Sequence, residues 1–145
     1  MLPPFTERGD LPAGIYQATW AEIQDRFGRS EVRQPLFRML RRLFRLASRT
    51  GHLERFLVFG SFVTRKDMPG DLDIVLVMAE AFVLEEAPRE SRALFSHADA
   101  DALFGASVFW IRRGILPDHE VAGFLDFWQT RRDGAKRGIL EITHD

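Results

Sequence analysis

Cysteine is absent from this chain of 145 residues, and lysine is scarce, occurring only at Lys66 and Lys136. Without cysteine the chain cannot form disulfides, cysteine-ligated zinc sites or a thiol nucleophile, and its composition suits a reducing compartment. No apolar run approaches the roughly 18 residues of a membrane span, and no basic-then-apolar leader stands at the N-terminus. These absences predict a cytoplasmic protein with no membrane partner.

Apolar residues make up 46% of the sequence, and phenylalanine alone occurs 13 times. This composition predicts a packed globule rather than a disordered chain, and the length fits a single domain spanning residues 1–145. Prolines and glycines are frequent in residues 1–18, which we expect to be an irregular lead-in.

Hydrophobic periodicity predicts helices and strands after this lead-in. Thr19 and Glu22 have the spacing of a capping box, which would start a short helix ending at Gly28. A longer helix, capped by Ser30, is expected to end before Gly51. Strands are expected at residues 56–59, 72–78, 106–111 and 138–142, with further helices starting near Pro88 and at Pro117. The pattern predicts an α/β (α+β) fold with a small mixed β-sheet flanked by helices.

The most informative segment covers residues 56–78. An apolar run ends in Gly60-Ser61, nine residues follow, and a second apolar run opens with Asp71-Leu-Asp73. Side chains two apart on a strand point to the same face, so both carboxylates should lie side by side near the Gly-Ser turn. Mg²⁺ usually takes one or two carboxylates plus substrate phosphates, and a glycine turn lets a phosphate approach the backbone. The segment therefore predicts metal-bridged phosphate chemistry.

Simpler interpretations exist for the same residues. Asp71 follows a Pro-Gly pair and could be an ordinary turn residue. Asp73 lies inside an apolar strand, where a carboxylate requires a partner or a metal ion. Ser61 could be only a helix N-cap, and Lys66 could contact phosphates or simply be solvated.

The motif formed by Gly60-Ser61, nine residues and Asp71-Leu-Asp73 resembles the signature of the nucleotidyltransferase superfamily. That superfamily includes DNA polymerase beta, the kanamycin and streptomycin nucleotidyltransferases and the minimal nucleotidyltransferases. Three segments together are similar to a family of small, largely uncharacterised bacterial nucleotidyltransferase-like proteins: residues 11–15 (Leu-Pro-Ala-Gly-Ile), 60–66 (Gly-Ser-Phe-Val-Thr-Arg-Lys) and 136–139 (Lys-Arg-Gly-Ile).

This resemblance implies a nucleotidyltransferase-like fold and gives roles to the motif residues. Gly60, Ser61 and Lys66 would bind a nucleoside triphosphate, and Asp71 and Asp73 would be catalytic ligands of Mg²⁺. The implied reaction is the Mg²⁺-dependent transfer of a nucleoside monophosphate to a hydroxyl of a protein, an RNA or a small molecule.

The third carboxylate of active nucleotidyltransferases has no clear counterpart in this sequence. Ser107 stands where the resemblance aligns that acid, and Asp99, Asp101 and Glu141 are the remaining candidates. Without a third acid, one Mg²⁺ and a nucleotide could still bind, but a two-metal mechanism is doubtful. The alternatives are a catalytically degenerate partner that binds nucleotide or nucleic acid in a toxin–antitoxin or defence system, and a domain that has lost ligand binding altogether.

Arginine is concentrated just before the motif, where residues 29–55 contain eight arginines and two glutamates. In the expected second helix these residues could form a face that binds the phosphates of RNA or DNA, or an acidic protein partner. A solvated helix face explains the same pattern. The arginines concerned are Arg38, Arg41, Arg42, Arg45 and Arg49.

Overall fold

The computed structural model describes residues 2–115, 117–130 and 133–143. Its strands and helices are β1 (Ile15–Ala18), α1 (Trp20–Phe27), α2 (Arg33–Ser48), β2 (Leu53–Phe59), β3 (Leu72–Met78), α3 (His97–Phe104), β4 (Ala106–Arg112), α4 (Asp118–Gln129) and β5 (Ile139–Ile142). Short 3₁₀ segments cover Ser61–Val63, Leu84–Glu86 and Arg89–Phe95. None of the helices in these described ranges is long and apolar enough to cross a membrane.

The strands form a mixed sheet in the order β1-β5-β2-β3-β4. β1 runs parallel to β5, and β3 runs parallel to β4, whereas β2 is antiparallel to both of its neighbours. Helices α1, α2 and α3 contribute to the apolar cluster on one face, and α4 covers the other. This architecture confirms the expected α/β class with a small mixed sheet flanked by helices.

Alternation along β3 divides the core into two layers, because successive strand side chains point to opposite faces. Ile74 and Leu76 pack in the cluster that includes α1 and α2. Val75 and Val77 pack in the smaller cluster with Leu125 of α4. Asp73 has the same parity as Val75 and Val77. It therefore lies on the α4 side of the sheet, close to the start of β3.

The predicted start of α1 is confirmed in detail. The Thr19 hydroxyl accepts a hydrogen bond from the Glu22 backbone N–H at 3.2 Å, and the Glu22 carboxylate accepts one from the Thr19 N–H at 3.1 Å. The longer helix begins at Arg33 rather than directly after Ser30. The Ser30 hydroxyl still accepts the Arg33 N–H at 3.2 Å, so it orders the turn before the helix.

Other boundaries differ from the sequence-based expectation. The lead-in is not irregular throughout residues 1–18, because Ile15–Ala18 forms β1 on the distant strand β5. β2 begins earlier than expected, at Leu53. The helix expected after Pro88 is interrupted at Ser96, whose hydroxyl accepts the Asp99 N–H at 3.3 Å and so starts α3 as a separate helix.

Candidate functional site

The Gly60-Ser61 turn and the start of β3 meet at one end of the sheet. Phe59, the last residue of β2, pairs with Asp73 of β3. Gly60 follows with φ +78° and ψ −162°, a backbone conformation that is essentially restricted to glycine. A Cβ added to Gly60 would lie only 2.0 Å from Asp73 Oδ2. Glycine is therefore required both by the backbone conformation and by the carboxylate that lies against it.

Asp71 and Asp73 are close enough to repel each other. Asp71 is exposed just before β3, and Asp73 is half-buried at its second position. Burial, and then the charge of Asp71, raise the pKa of Asp73 from 3.8 to about 6, while Arg137 acts in the opposite direction. Within the described part of the chain, no hydrogen bond or ion pair satisfies the Asp73 carboxylate. A bound cation would stabilise a half-buried carboxylate that accepts no hydrogen bond and lies next to a second negative charge.

The loop between the two strands is closed by its own polar groups. The Ser61 hydroxyl accepts the Gly70 N–H at 3.2 Å, which brings the end of the loop back to its beginning. The Thr64 hydroxyl donates to the Ser61 carbonyl at 2.6 Å and accepts the Lys66 N–H at 3.2 Å. Ser61 thus lies beside the segment that leads into Asp71, as the motif predicts.

A buried arginine fastens this loop to the helical layer. The Arg33 side chain donates to the carbonyl oxygens of Phe62, Thr64 and Lys66, each at 2.7 Å, and to that of Phe27 at 3.2 Å. Arg33 is only 8% exposed, and this burial lowers the pKa of its guanidinium. One side chain therefore holds residues 62–66 in a fixed position relative to α1 and α2.

A pocket of about 600 Å³ adjoins the loop. Four basic side chains line it together with two aspartates and the residues Gly9, Ser61 and Thr64, so its charged side chains have a positive balance. The basic residues are Arg8, Arg65, Lys66 and Arg137, and the acidic ones are Asp10 and Asp67. Lys66, predicted as a nucleotide contact, is exposed and takes part in this lining. The pocket can accept an anion such as a phosphate chain.

The two outlying segments of the resemblance, residues 11–15 and 136–139, contact each other. The Gly138 N–H donates to the Leu11 carbonyl at 2.9 Å, and the Ile139 N–H donates to the Gly14 carbonyl at 3.0 Å. A Cβ on Gly138 would lie 2.4 Å from the Pro12 carbonyl oxygen, so this crossing requires glycine. The crossing fixes the backbone next to Arg137, which lines the pocket and interacts electrostatically with Asp73.

None of the acidic candidates for a third ligand joins the pair. Ser107 of β4 pairs with Asp73 in the sheet, at the position where the resemblance expects an acid. Asp99 and Asp101 are exposed on α3. Glu141 accepts two hydrogen bonds from Arg55, both at 2.8 Å. Among the described residues, no group of three or more acidic or histidine side chains could hold a metal ion.

Comparison with known proteins gives a family but no activity. The model of a family of unknown function (DUF6932) matches residues 3–143. The chain belongs to this family. No curated protein and no solved structure matches the chain. The chemistry of this family member therefore has to be inferred from the geometry of its site.

Three arginines of the site were not recognised from the sequence. Arg33 belongs to the arginine-rich stretch, but its helical position places it on the buried side, opposite the exposed arginines, which is a signal that periodicity contains. Arg137 lies next to Gly138 in a segment that the resemblance marks. Arg8 lies in the lead-in and forms an ion pair with Asp133 at 2.6 Å, a contact that no local sequence pattern indicates.

Proposed function

We propose that this chain is a nucleotidyltransferase-like protein that binds a nucleoside triphosphate together with Mg²⁺. The observation that carries the proposal is the half-buried Asp73 carboxylate, which accepts no hydrogen bond from the described part of the chain and lies beside Asp71 and against Gly60. The basic pocket adjoins the same loop. The carboxylates of Asp71 and Asp73 favour a cation, and the basic pocket favours an anion. A Mg²⁺ ion bound to a phosphate chain combines both kinds of charge.

Two neighbouring carboxylates suit one Mg²⁺, and phosphate oxygens would supply further ligands. Asp71 and Asp73 would hold the ion, and the absent side chain at Gly60 leaves the space that the Asp73 carboxylate occupies. Arg65, Lys66 and Arg137 line the pocket that would take the phosphate chain. A bound Mg²⁺ would supply charge neutralisation on the phosphates and orientation of the acceptor.

In the proposed transfer, the oxygen of an acceptor hydroxyl forms a bond to the α-phosphorus. The bond between the α-phosphorus and the oxygen bridging to the β-phosphate breaks, and pyrophosphate leaves. The hydroxyl proton passes to solvent water, because Ser107, which pairs with Asp73, cannot serve as a carboxylate base. Loss of a general base costs roughly 10²–10⁴ in rate. We therefore expect slow transfer, with a protein, an RNA or a small molecule as acceptor.

A second candidate function follows from the same serine. Ser107 opposite Asp73, with no third acid among the described residues, favours a protein that binds nucleotide without turnover. Such a degenerate nucleotidyltransferase would act as one member of a toxin–antitoxin or defence pair. The absence of cysteine agrees with a cytoplasmic setting for either function.

Calorimetry with each of the four ribonucleoside triphosphates, with and without Mg²⁺, tests the binding step. The native chain should bind better with Mg²⁺, and the Asp71→Asn/Asp73→Asn variant should lose that difference. Glu141→Gln is the matched control, because it neutralises a carboxylate on the same face that the site does not use. Equal heats from the native chain and the double variant would refute the site assignment.

Transfer itself is tested with Ser107→Asp. This change adds the missing carboxylate opposite Asp73, so it should raise transfer of labelled nucleotide to a protein, an RNA or a small molecule above the native level. Triphosphate binding without any transfer, in the native chain and in Ser107→Asp alike, would favour the second candidate function.

A further inference from the structure

Three arginines on the outer side of α2 and Arg49, the residue that follows the helix, form a straight stripe. With about 3.6 residues per turn, positions 38, 42, 45 and 49 fall within an arc of about 60°. They are separated by steps of about 4.5–6 Å, so the stripe is about 16 Å long. All four residues, Arg38, Arg42, Arg45 and Arg49, are exposed. Arg41, also exposed, lies at one side of the stripe.

Aromatic rings contact one arginine of this stripe and its neighbour Arg41. The Arg41 guanidinium lies 5.4 Å from the centre of the Trp20 ring of α1, and Arg42 lies 5.3 Å from the Phe104 ring of α3. Such contacts restrict a guanidinium without neutralising its charge. Arg49 approaches Glu90 at 3.5 Å, whereas in the described residues Arg38 and Arg45 have no ion pair. Most of the positive charge is therefore available to a partner.

The stripe continues into a groove of about 350 Å³ between α1 and α2. Arg29, which is ion-paired with Asp25, lines the groove together with Arg38 and Arg41. The amide side chains of Gln24 and Gln34 also line it. Gln34 uses its amide nitrogen to bind the Arg29 carbonyl at 2.7 Å. The Gln24 side chain is exposed. The groove therefore combines guanidinium groups with amides that can both donate and accept hydrogen bonds.

We infer that the arginine stripe and this groove bind the sugar–phosphate backbone of single-stranded RNA. Evenly spaced guanidinium groups on a chain whose net charge is −1 indicate local recognition of a polyanion rather than general attraction to one. The amides in the groove can pair with 2′-hydroxyls, the groups that distinguish RNA from DNA. This binding does not depend on the proposed nucleotide site, because it requires neither Asp71, Asp73 nor Mg²⁺.

Fluorescence anisotropy with a labelled oligouridylate of about 12 nucleotides tests the inference in the presence of a chelator. If four or five phosphates are contacted, log K should fall against log[salt] with a slope of about −3 between roughly 50 and 200 mM salt. Arg38→Gln/Arg45→Gln should weaken binding at least about tenfold and reduce the slope by about 1.4. Neither residue has an ion pair in the described structure, so the fold should be retained.

The charge-matched control is Arg89→Gln/Arg113→Gln, which removes two arginines from exposed positions outside the stripe, one of which, Arg113, is paired with Glu54 at 3.2 Å. Its affinity should stay within about twofold of the native value. Undetectable binding by the native chain at low salt, or an equal loss in the control, would overturn the inference. Equal affinity for oligodeoxythymidylate, or stronger binding of polyglutamate, would overturn the choice of RNA, and the second result would point to an acidic protein partner.

Asp71→Asn/Asp73→Asn separates this inference from the proposed function. The variant should keep its affinity for the oligouridylate while it loses Mg²⁺-dependent binding of triphosphate. Loss of both kinds of binding in this variant would contradict an independent RNA surface.

Discussion

Two carboxylates on the α4 side of the sheet, those of Glu141 and Asp73, differ in their hydrogen bonding. Glu141 of β5 lies opposite Leu57, and Asp73 of β3 lies opposite Phe59, so the two acids share a face. Glu141 accepts two hydrogen bonds from Arg55 at 2.8 Å. The Asp73 carboxylate has neither a hydrogen bond nor an ion pair in the described residues. Within the described residues, Glu141 has a charged hydrogen-bond donor, whereas Asp73 has only the more distant charge of Arg137 to favour its ionised form.

The pKa values of Arg55 and Asp73 reflect this difference in hydrogen bonding. The hydrogen bond to Glu141 raises the pKa of Arg55, which stabilises the charged pair. Burial and Asp71 raise the pKa of Asp73 to about 6, which makes its charged form unfavourable. The folded chain therefore stabilises the charged form of the Arg55–Glu141 pair and disfavours the charged form of Asp73.

The largest expected effect comes from removing the side chain that holds the loop below Asp73. Arg33→Ala should leave four carbonyl oxygens without their donor, those of Phe27, Phe62, Thr64 and Lys66. We expect the free energy of unfolding to fall by about 3–5 kcal/mol, measured by urea denaturation.

Arg38→Ala is the control on the same helix, because Arg38 is exposed. It should change the free energy of unfolding by no more than about 0.5 kcal/mol. Equal effects of the two changes would mean that the four hydrogen bonds of Arg33 do not support the loop.

Gly60→Ala should have the next largest effect, and Gly51→Ala is its matched control. Both glycines have positive φ, +78° and +76°, but only Gly60 would place its Cβ against another side chain, that of Asp73. We expect a loss of about 3 kcal/mol for Gly60→Ala and about 1 kcal/mol for Gly51→Ala. If the contact with Asp73 causes the excess, it should shrink in the Gly60→Ala/Asp73→Ala double variant, which a double-mutant cycle measures.

The sequence was sufficient for features that depend on near neighbours. The Thr19–Glu22 capping box and the apolar strand β3 are local patterns. The approach of Gly60 to Asp73 follows from alternation and a loop of fixed length. β1 was missed because its partner, β5, lies at the far end of the chain.

The partners of Arg33 were also missed because they are distant in sequence. Arg33 lies in the same arginine-rich stretch as the exposed arginines, and only the folded loop supplies the carbonyl oxygens that it binds. The basic pocket was missed for a similar reason, because Arg8 and Arg137 reach it from opposite ends of the sequence. Long-range pairing, rather than local propensity, decides these features.

Glu141→Gln tests the structural half of the comparison. The pair with Arg55 is largely shielded, since the Glu141 side chain is 15% exposed. Neutralising the acid should lower the free energy of unfolding by about 2 kcal/mol at pH 8. The same variant should still bind triphosphate with Mg²⁺. A loss of that binding would indicate that Glu141 also serves the site.

Asp73→Asn should have the smallest effect and the opposite sign. Because the pKa of Asp73 is raised from 3.8 to about 6 on folding, the folded chain holds a proton that the unfolded chain releases. The native protein therefore loses stability as the pH rises through about 6. Asparagine removes that charge, so the variant should melt about 2–4 °C higher than the native chain at pH 8, since solvent screens a half-buried group. Below pH 3.8, where Asp73 is protonated in both the folded and the unfolded native chain, the two proteins should have the same melting temperature.

Added Mg²⁺ should raise the melting temperature of the native chain at pH 8 but not that of the Asp73→Asn variant. A lower melting temperature for Asp73→Asn at pH 8 would mean that the ionised carboxylate stabilises the fold, and the contrast with Glu141 would be lost.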